Sequence, residues 1–337
     1  MVDVTVLLPV YNGGKFLEEA IQSILNQAYT NFELLIINDG STDNSAQIID
    51  TFQDGRINFV NNTNNQGLVK TLNFGVKKAK GSLIARMDAD DVADKYRLGK
   101  QVKFLTENKD IDVVGCQINF IDEFSQVTGQ QIYPPDHESI KIDSLFRCPL
   151  PHSGVVFKKE KFIANNLFYN ASYKYTEDYE LWQRALSILK FANHSEKLLN
   201  YRITPYQVST VNLQAQKKES IDIRLNYLRA LGLQDQQENT QHLFLNFLDY
   251  ELQLTEKLDF ETLLNIIDKA VTINKQRKIF SEVLFNKMLF TRLDWLVKIY
   301  TTKKNKLYSI YQTHQLFNFS TLRLIDKFKI ACKEWMP

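Results

Sequence analysis

The chain has 337 residues, of which 44% are apolar and 24% charged, and its formal net charge is +2. That length and apolar share suffice for one large domain with a buried core plus a smaller one, and they exclude wholesale disorder. Near-neutrality excludes a polycation built to coat nucleic acid, and no apolar run approaches the roughly 18 residues a spanning helix needs.

The N-terminal MVDVTVLLPVYN lacks the basic start and small-residue cleavage site of a signal peptide. Cys116, Cys148 and Cys332 are scattered and form no CxxC, and the five histidines fall at no zinc spacing, so buried thiols in a reducing cytoplasm are expected. Charge is unevenly spread. Residues 269–337 hold 14 Lys/Arg against 4 Asp/Glu, which leaves 27 against 35 for residues 1–268. An acidic body with a basic tail suggests that the two ends face different surroundings.

In chain order, Val4–Leu8 is an apolar run that stops at Pro9 and reads as a buried parallel strand. Phe16, Leu17, Ala20, Ile21, Ile24 and Leu25 follow with helical spacing. Residues 32–37 form a second buried strand ending in Asn38-Asp39-Gly40-Ser41-Thr42-Asp43, and residues 45–52 a helix. A third strand at 57–60 precedes a helix lined by Leu68, Leu72, Gly75, Val76 and Ala79. The fourth strand, residues 82–87, runs into Asp88-Ala89-Asp90-Asp91. This alternation predicts a doubly wound parallel sheet, whose ligands bind beyond the carboxyl ends of the strands. The polar clusters lie there: Tyr11-Asn12, Asp39, and Asp88 to Asp91.

Farther on, a helix over 96–107, strands at 113–120 and 153–157, and a helix opened by Thr176-Glu177-Asp178 with Thr176 as its cap are expected. Beyond Thr210 the pattern is helical almost throughout. The sequence therefore predicts an α/β domain at 1–210 and a helical, basic domain at 211–337.

Asp88, Asp90 and Asp91 place three carboxylates in four residues after a buried strand, an arrangement that repels itself unless a cation is present. Hard oxygen ligands favour Mg²⁺ or Mn²⁺, which take further ligands from substrate phosphates, so a metal-bridged nucleoside diphosphate is implied. Asp39 stands where a carboxylate can accept from a nucleotide's base or ribose, although it is also suited to a turn. Neither GxGxxG nor GxxxxGK[ST] occurs, which removes the main support for dehydrogenase and P-loop readings.

VTVLLPVYNGGKFLEEAIQSILNQ, FELLIINDGSTDNS, NNQGLVKTLNFGVKKAKGSLIARMDADD and TEDYELWQRAL together resemble glycosyltransferase family 2 over about residues 3–205. The ARMDADD form and the later Tyr201-Arg202 element look most like bacterial enzymes that build lipooligosaccharide, O-antigen or capsule. The resemblance implies a GT-A fold, inverting chemistry and a UDP-sugar donor. Pro9, Tyr11 and Asn12 match the segment cradling the uracil, and Asp39 the base-binding carboxylate. Asp88 and Asp90 match the DxD pair, Asp88 nearer the ribose and Asp90 on the metal, with Asp91 supporting them from behind or touching the acceptor or diphosphate. Asn65 and Asn73 lie in the stretch leading to that strand without an assigned role.

Asp178 matches the catalytic base, and an inverting transfer needs one carboxylate to take the acceptor hydroxyl's proton. A helix N-terminus favours its ionised form. Glu177 is the competing candidate, better suited to orient an acceptor hydroxyl. His152 matches a polar loop near the acceptor. Where many members carry a histidine two residues after the arginine, this chain has Thr204, so Arg202 or His152 is expected to serve the diphosphate or acceptor instead.

The basic tail, with Lys275, Arg277, Lys304, Lys306, Arg323, Lys327 and Lys329 among Trp295, Tyr300, Phe319 and Phe328, suits an anionic bilayer and hence a lipid-linked glycan acceptor. It carries no RNA-binding motif, and the bland alternative is a helical domain with solvated lysines. Localisation on the inner face of the cytoplasmic membrane follows as the expectation. Two other functions remain open at this point. A nucleotidyltransferase would need a glycine- and base-rich phosphate loop, which Asn12-Gly13-Gly14-Lys15 matches poorly. A degenerate nucleotide-sugar binder is favoured only by Thr204.

Overall fold

The structure is a computed structural model that describes residues 2–204, 212–233, 238–249, 257–302 and 304–335. It divides into two compact units, Met1–Asp143 with Arg147–Ser220, and Ser144–Phe146 with Ile221–Pro337. The 210/211 boundary expected from the sequence lies outside the described residues.

The first unit begins as four parallel strands in the order β3-β2-β1-β4: β1 (Val4–Val10), β2 (Phe32–Asn38), β3 (Ile57–Asn61) and β4 (Leu83–Arg86). Successive strand residues face opposite sides, which sorts the apolar run into two cores. Val4, Val6, Leu8 and Val10 pack with Leu17, Ala20, Ile21 and Ile24 of α1 (Leu17–Leu25). Leu7, Leu35 and Ile37 pack on the other side with Val69, Leu72 and Val76 of α3 (Leu68–Lys78). Between them in sequence is the short α2 (Ser45–Asp50). A Cβ on Gly75 would come within 2.3 Å of Leu7 Cδ1, so the missing side chain sets how closely α3 approaches the sheet.

β1 continues through Pro9 rather than stopping there. Strand β4 pairs with β1 only as far as Leu7, so Pro9 needs to pair on one side alone.

The sheet then extends in the order β4-β8-β6-β9-β5, with β7 added to β6. These strands are β5 (Val92–Ala93), β6 (Val113–Ile121), β7 (Val127–Gln131), β8 (Val156–Lys158) and β9 (Phe191–Arg202). The accompanying helices are α4 (Arg97–Glu107), α5 (His137–Asp143), α6 (Lys159–Ala164) and α7 (Glu177–Ala185). β8 is antiparallel to both β4 and β6, so the sheet is mixed and not wholly parallel. The strand expected at 153–157 starts later, because His152–Gly154 turns as a 3₁₀ segment in which Gly154 N–H bonds to Pro151 O at 2.9 Å. Trp182 of α7 is fully buried among Phe157, Phe162 and Phe191.

The second unit is helical. Its core includes Phe260, Leu263, Leu264 and Ile267 of the helix Lys257–Arg277 and Phe285, Leu289 and Leu293 of the helix Glu282–Tyr300. Buried carboxylates tie its later segments together. Asp294 accepts from Ser320 Oγ at 2.9 Å and Thr321 N at 2.6 Å, and Glu334 from Tyr308 N at 2.7 Å. Among the described residues, no helix is long and apolar enough to cross a membrane.

Candidate active site

The loops after β1 and β2 are stitched together. Asn12 N–H donates to Ser41 Oγ at 2.9 Å, and its side-chain Oδ1 accepts from Thr42 N at 2.8 Å. Gly13 N donates to Ser45 Oγ, and Gly14 N to Asp43 Oδ2, each at 3.0 Å. Asn12 has φ +52°, a left-handed conformation that asparagine tolerates better than most residues. Beside it Tyr11 is 53% exposed, free to stack on a ligand, whereas Pro9 lies within β1 and serves the strand.

Asp39 is buried at the end of β2. Its Oδ1 accepts from Asn62 Nδ2 at 2.9 Å and Gln66 N at 3.0 Å, and its Oδ2 from Gly67 N at 2.8 Å. Of the roughly four acceptor positions on a carboxylate, three hold the loop between β3 and α3. The contact with base or ribose expected of Asp39 is therefore confined to what remains. The same loop passes so near Gly40 (φ +71°) that a Cβ there would lie 2.5 Å from the Asn64 backbone.

The acidic loop after β4 brings together Asp88, Asp90 and Asp91, whose ligand oxygens all lie within 4.8 Å of one another. Asp88 pairs with Arg86, a guanidinium buried in β4 whose Nε finds no protein partner. Asp91 is turned inward. It is buried, accepts from the Ser153 hydroxyl, and takes Arg202 N–H on Oδ1 at 2.9 Å. Burial first, then Asp90 and Asp88, push its carboxyl well above the usual range. Such crowding of hard oxygen donors fits a divalent cation, which would relieve the repulsion.

Arg202 also corrects the sequence reading. It is fully buried and satisfied by protein: Nε donates to Asp90 O at 2.8 Å, Nη1 to Asp122 O at 2.7 Å, and Nη2 pairs with Glu19 at 2.5 Å. Its guanidinium also stacks 4.3 Å from the Phe16 ring centroid. A guanidinium surrounded in this way holds the acidic loop from behind and has no face left for a diphosphate.

Glu177 and Asp178 open α7. Thr176 occupies the cap position, but its hydroxyl makes no cap bond and donates instead to Glu219 Oε2 at 2.8 Å. Asp178 Oδ1 accepts from Tyr179 N at 2.7 Å and Oδ2 from Cys148 Sγ at 3.3 Å. Glu177 is buried and pushed up to about 8, by desolvation first and then by Asp178. Desolvation raises Asp178 too. Burial thus outweighs the helix-terminus effect that the sequence suggested would favour the ionised forms. The outcome still suits a base, because a carboxylate whose affinity for a proton is raised by burial accepts one more readily than a carboxylate in water.

His152 Nε2 lies 2.9 Å from Tyr169 Oη, and Nδ1 3.9 Å from Glu177 Oε1. Burial, then Arg86, hold the ring well below its ordinary value, which favours the neutral form, and at 3.9 Å it lies beside Glu177 without hydrogen-bonding to it. Tyr169 is clamped in turn by Asn73, through Tyr169 N to Oδ1 at 2.8 Å and Nδ2 to Tyr169 O at 2.9 Å. This gives Asn73 a role as support for the site, which the sequence alone did not assign. Asn65 has no comparable side-chain contact with these groups. Sequence reading also missed Arg86, Cys148, Ser153 and Tyr169. The available signal was a charged residue, Arg86, inside an otherwise apolar strand.

The family profile described as Glycosyl transferase family 2 matches residues 5–175. An uncharacterized glycosyltransferase of Haemophilus influenzae is 31% identical over 244 residues, spanning 68% of this chain and 76% of that protein. The O-antigen biosynthesis glycosyltransferase WbnJ of Escherichia coli is 36% identical over 217 residues, 59% of this chain and 79% of WbnJ. Among solved structures, S. aureus TarS 1–349 in complex with UDP-GlcNAc superposes with a TM-score of 0.59 at 17% identity, covering 86% of this chain and 87% of that one. At that identity the likeness is one of fold.

Proposed function

This chain belongs to glycosyltransferase family 2, with a GT-A fold followed by a helical region, and we propose that it moves a hexose or N-acetylhexosamine from a UDP-sugar to a hydroxyl of a bacterial surface glycan, with inversion and with a divalent metal, Mn²⁺ or Mg²⁺. The observation that carries this reading is the combination of an acidic loop fit for a cation with a buried carboxylate pair, Glu177 and Asp178, kept apart from it on α7. The UDP-GlcNAc complex of TarS and the O-antigen role of WbnJ support the donor and the product class.

In this reading Tyr11 lies against the base and Asp39 keeps the loop beneath it in place. Asp90 and Asp88 would hold the metal, which when bound neutralises charge on the departing diphosphate. Asp178 takes the proton of the acceptor hydroxyl as that oxygen attacks the anomeric carbon from the face opposite the diphosphate. Glu177, with His152 beside it, holds the acceptor hydroxyl. Calorimetric titration with UDP, GDP and dTDP, each with Mn²⁺ and with EDTA, tests the donor class. Metal-dependent binding of UDP alone supports it, and the absence of any metal-dependent nucleotide binding overturns it.

We also propose that the protein works at the inner face of the cytoplasmic membrane. On the helix Leu324–Trp335, Leu324 is 86% and Phe328 68% exposed, with Ile325 beside them and Lys327 and Lys329 alongside. Exposed apolar side chains flanked by lysines suit an anionic lipid surface. Phe328→Asp should release the protein from phosphatidylglycerol vesicles in a flotation assay. Equal flotation by both proteins would refute this placement.

A further inference from the structure

The three donors that precede the catalytic pair converge on one carboxylate from outside the family-matched segment. Glu219, on the helix Leu213–Ala230, accepts from Lys174 N at 3.3 Å through Oε1, and from Tyr175 N at 3.0 Å and Thr176 Oγ1 at 2.8 Å through Oε2. One turn earlier on the same helix, Gln216 Nε2 donates to Tyr175 O at 3.1 Å. Residues 174–176 are thus gripped on both their amide and carbonyl sides, and Glu177 and Asp178 follow without an intervening residue.

We infer that Glu219 is a positioning residue for Asp178 and Glu177, the carboxylates that open α7. The inference rests on the proposed role of Asp178 and extends it to a part of the chain that the family match, ending at residue 175, does not reach. The physical argument is one of orientation. Unpaired N–H groups at the start of a helix are normally met by a cap side chain or water. Here the cap residue gives its hydroxyl away, and a distant carboxylate takes the preceding amides. Accepting two N–H groups and one O–H, it fixes the direction in which α7 begins and with it the side chains of its first turn. A displacement of about 1 Å at a reacting group can cost about 100-fold in rate.

The test pairs Glu219→Ala with Glu219→Gln. The alanine variant should lose amide-exchange protection at Lys174 and Tyr175 and lower kcat about 10- to 100-fold. UDP affinity by calorimetry should stay within two-fold, because Asp39 and Asp88 hang on other strands. The glutamine variant, which keeps one acceptor oxygen, should recover part of both. Should the alanine variant fail to fold, Thr176→Val removes a single donor, and a smaller fall in kcat at constant UDP affinity is expected. Unchanged exchange at 174–175, an unchanged kcat, or a parallel loss of UDP affinity overturns the inference. If the wild-type chain turned over no UDP-sugar, the functional reading would fail, while amide exchange would still decide whether Glu219 holds this loop.

Discussion

Glu177→Gln should change how stability depends on pH. The native carboxyl titrates at about 8, against 4.5 for an unperturbed glutamate. Between these values the folded protein keeps a proton that the unfolded chain has released. Stability therefore falls as pH rises, by about 1.4 kcal/mol per pH unit for one proton. The contribution is fully present below 4.5 and lost by the time pH has passed 8, a span of about 5 kcal/mol. Glutamine has no proton to lose, so the variant should lack the slope that Glu177 contributes. Between pH 5 and 7 the stability of the variant relative to wild type should rise by about 3 kcal/mol. Urea unfolding of both proteins at pH 5, 6, 7 and 8, in EDTA so that no divalent metal intervenes, measures it directly. Parallel stability curves would show that Glu177 ionises in the folded state much as it does in water, and the argument from burial beside Asp178 would fall.

Asp90→Ala should abolish the Mn²⁺-dependent part of UDP binding; equal affinity with metal and with EDTA, unaltered from wild type, would count against a metal at the acidic loop. Asp178→Asn should bind UDP normally while kcat drops about 10²- to 10⁴-fold, and near-normal turnover would move the base to Glu177. Arg202→Leu should destabilise by about 1–3 kcal/mol in urea, since it leaves the carbonyls of Asp90 and Asp122 without a donor while the half-exposed Glu19 turns to solvent; a variant as stable as wild type would mean that the guanidinium is dispensable for folding.

Residues 4–87 were readable because a strand buried on both faces is a continuous apolar run and each helix between strands shows its stripe. β9 gave no such signal. Between Cys116↔His194 and Gln117↔Lys197 its pairing skips Ser195 and Glu196, and this irregularity hides the strand's period. β5 has two residues and β7 is largely exposed, so neither has an apolar pattern to read. At the site, the residue types in DADD and TED announced their chemistry, but their directions did not. Whether Asp91 looks outward or toward Ser153, and whether Arg202 reaches a phosphate or Glu19, depends on partners far away in sequence. The same holds for Thr176, whose place before a helix predicted that its hydroxyl oxygen would accept from the first turn, whereas the hydroxyl turns to donate to Glu219, far off in sequence.

The bond from Arg202 N–H to Asp91 joins residues 111 apart in sequence, the later one at the end of β9. On a ribosome adding about 5–20 residues per second, the arginine is made roughly 6–20 s after the aspartate. During that interval the four parallel strands can pair with one another, while the outer edge of β4 still waits for β8 and the acidic loop lacks the amide and the guanidinium that later secure it. The early sheet can therefore fold on the emerging chain well before its acidic loop is secured, and the part of the protein that would grip a charged donor is the part finished late.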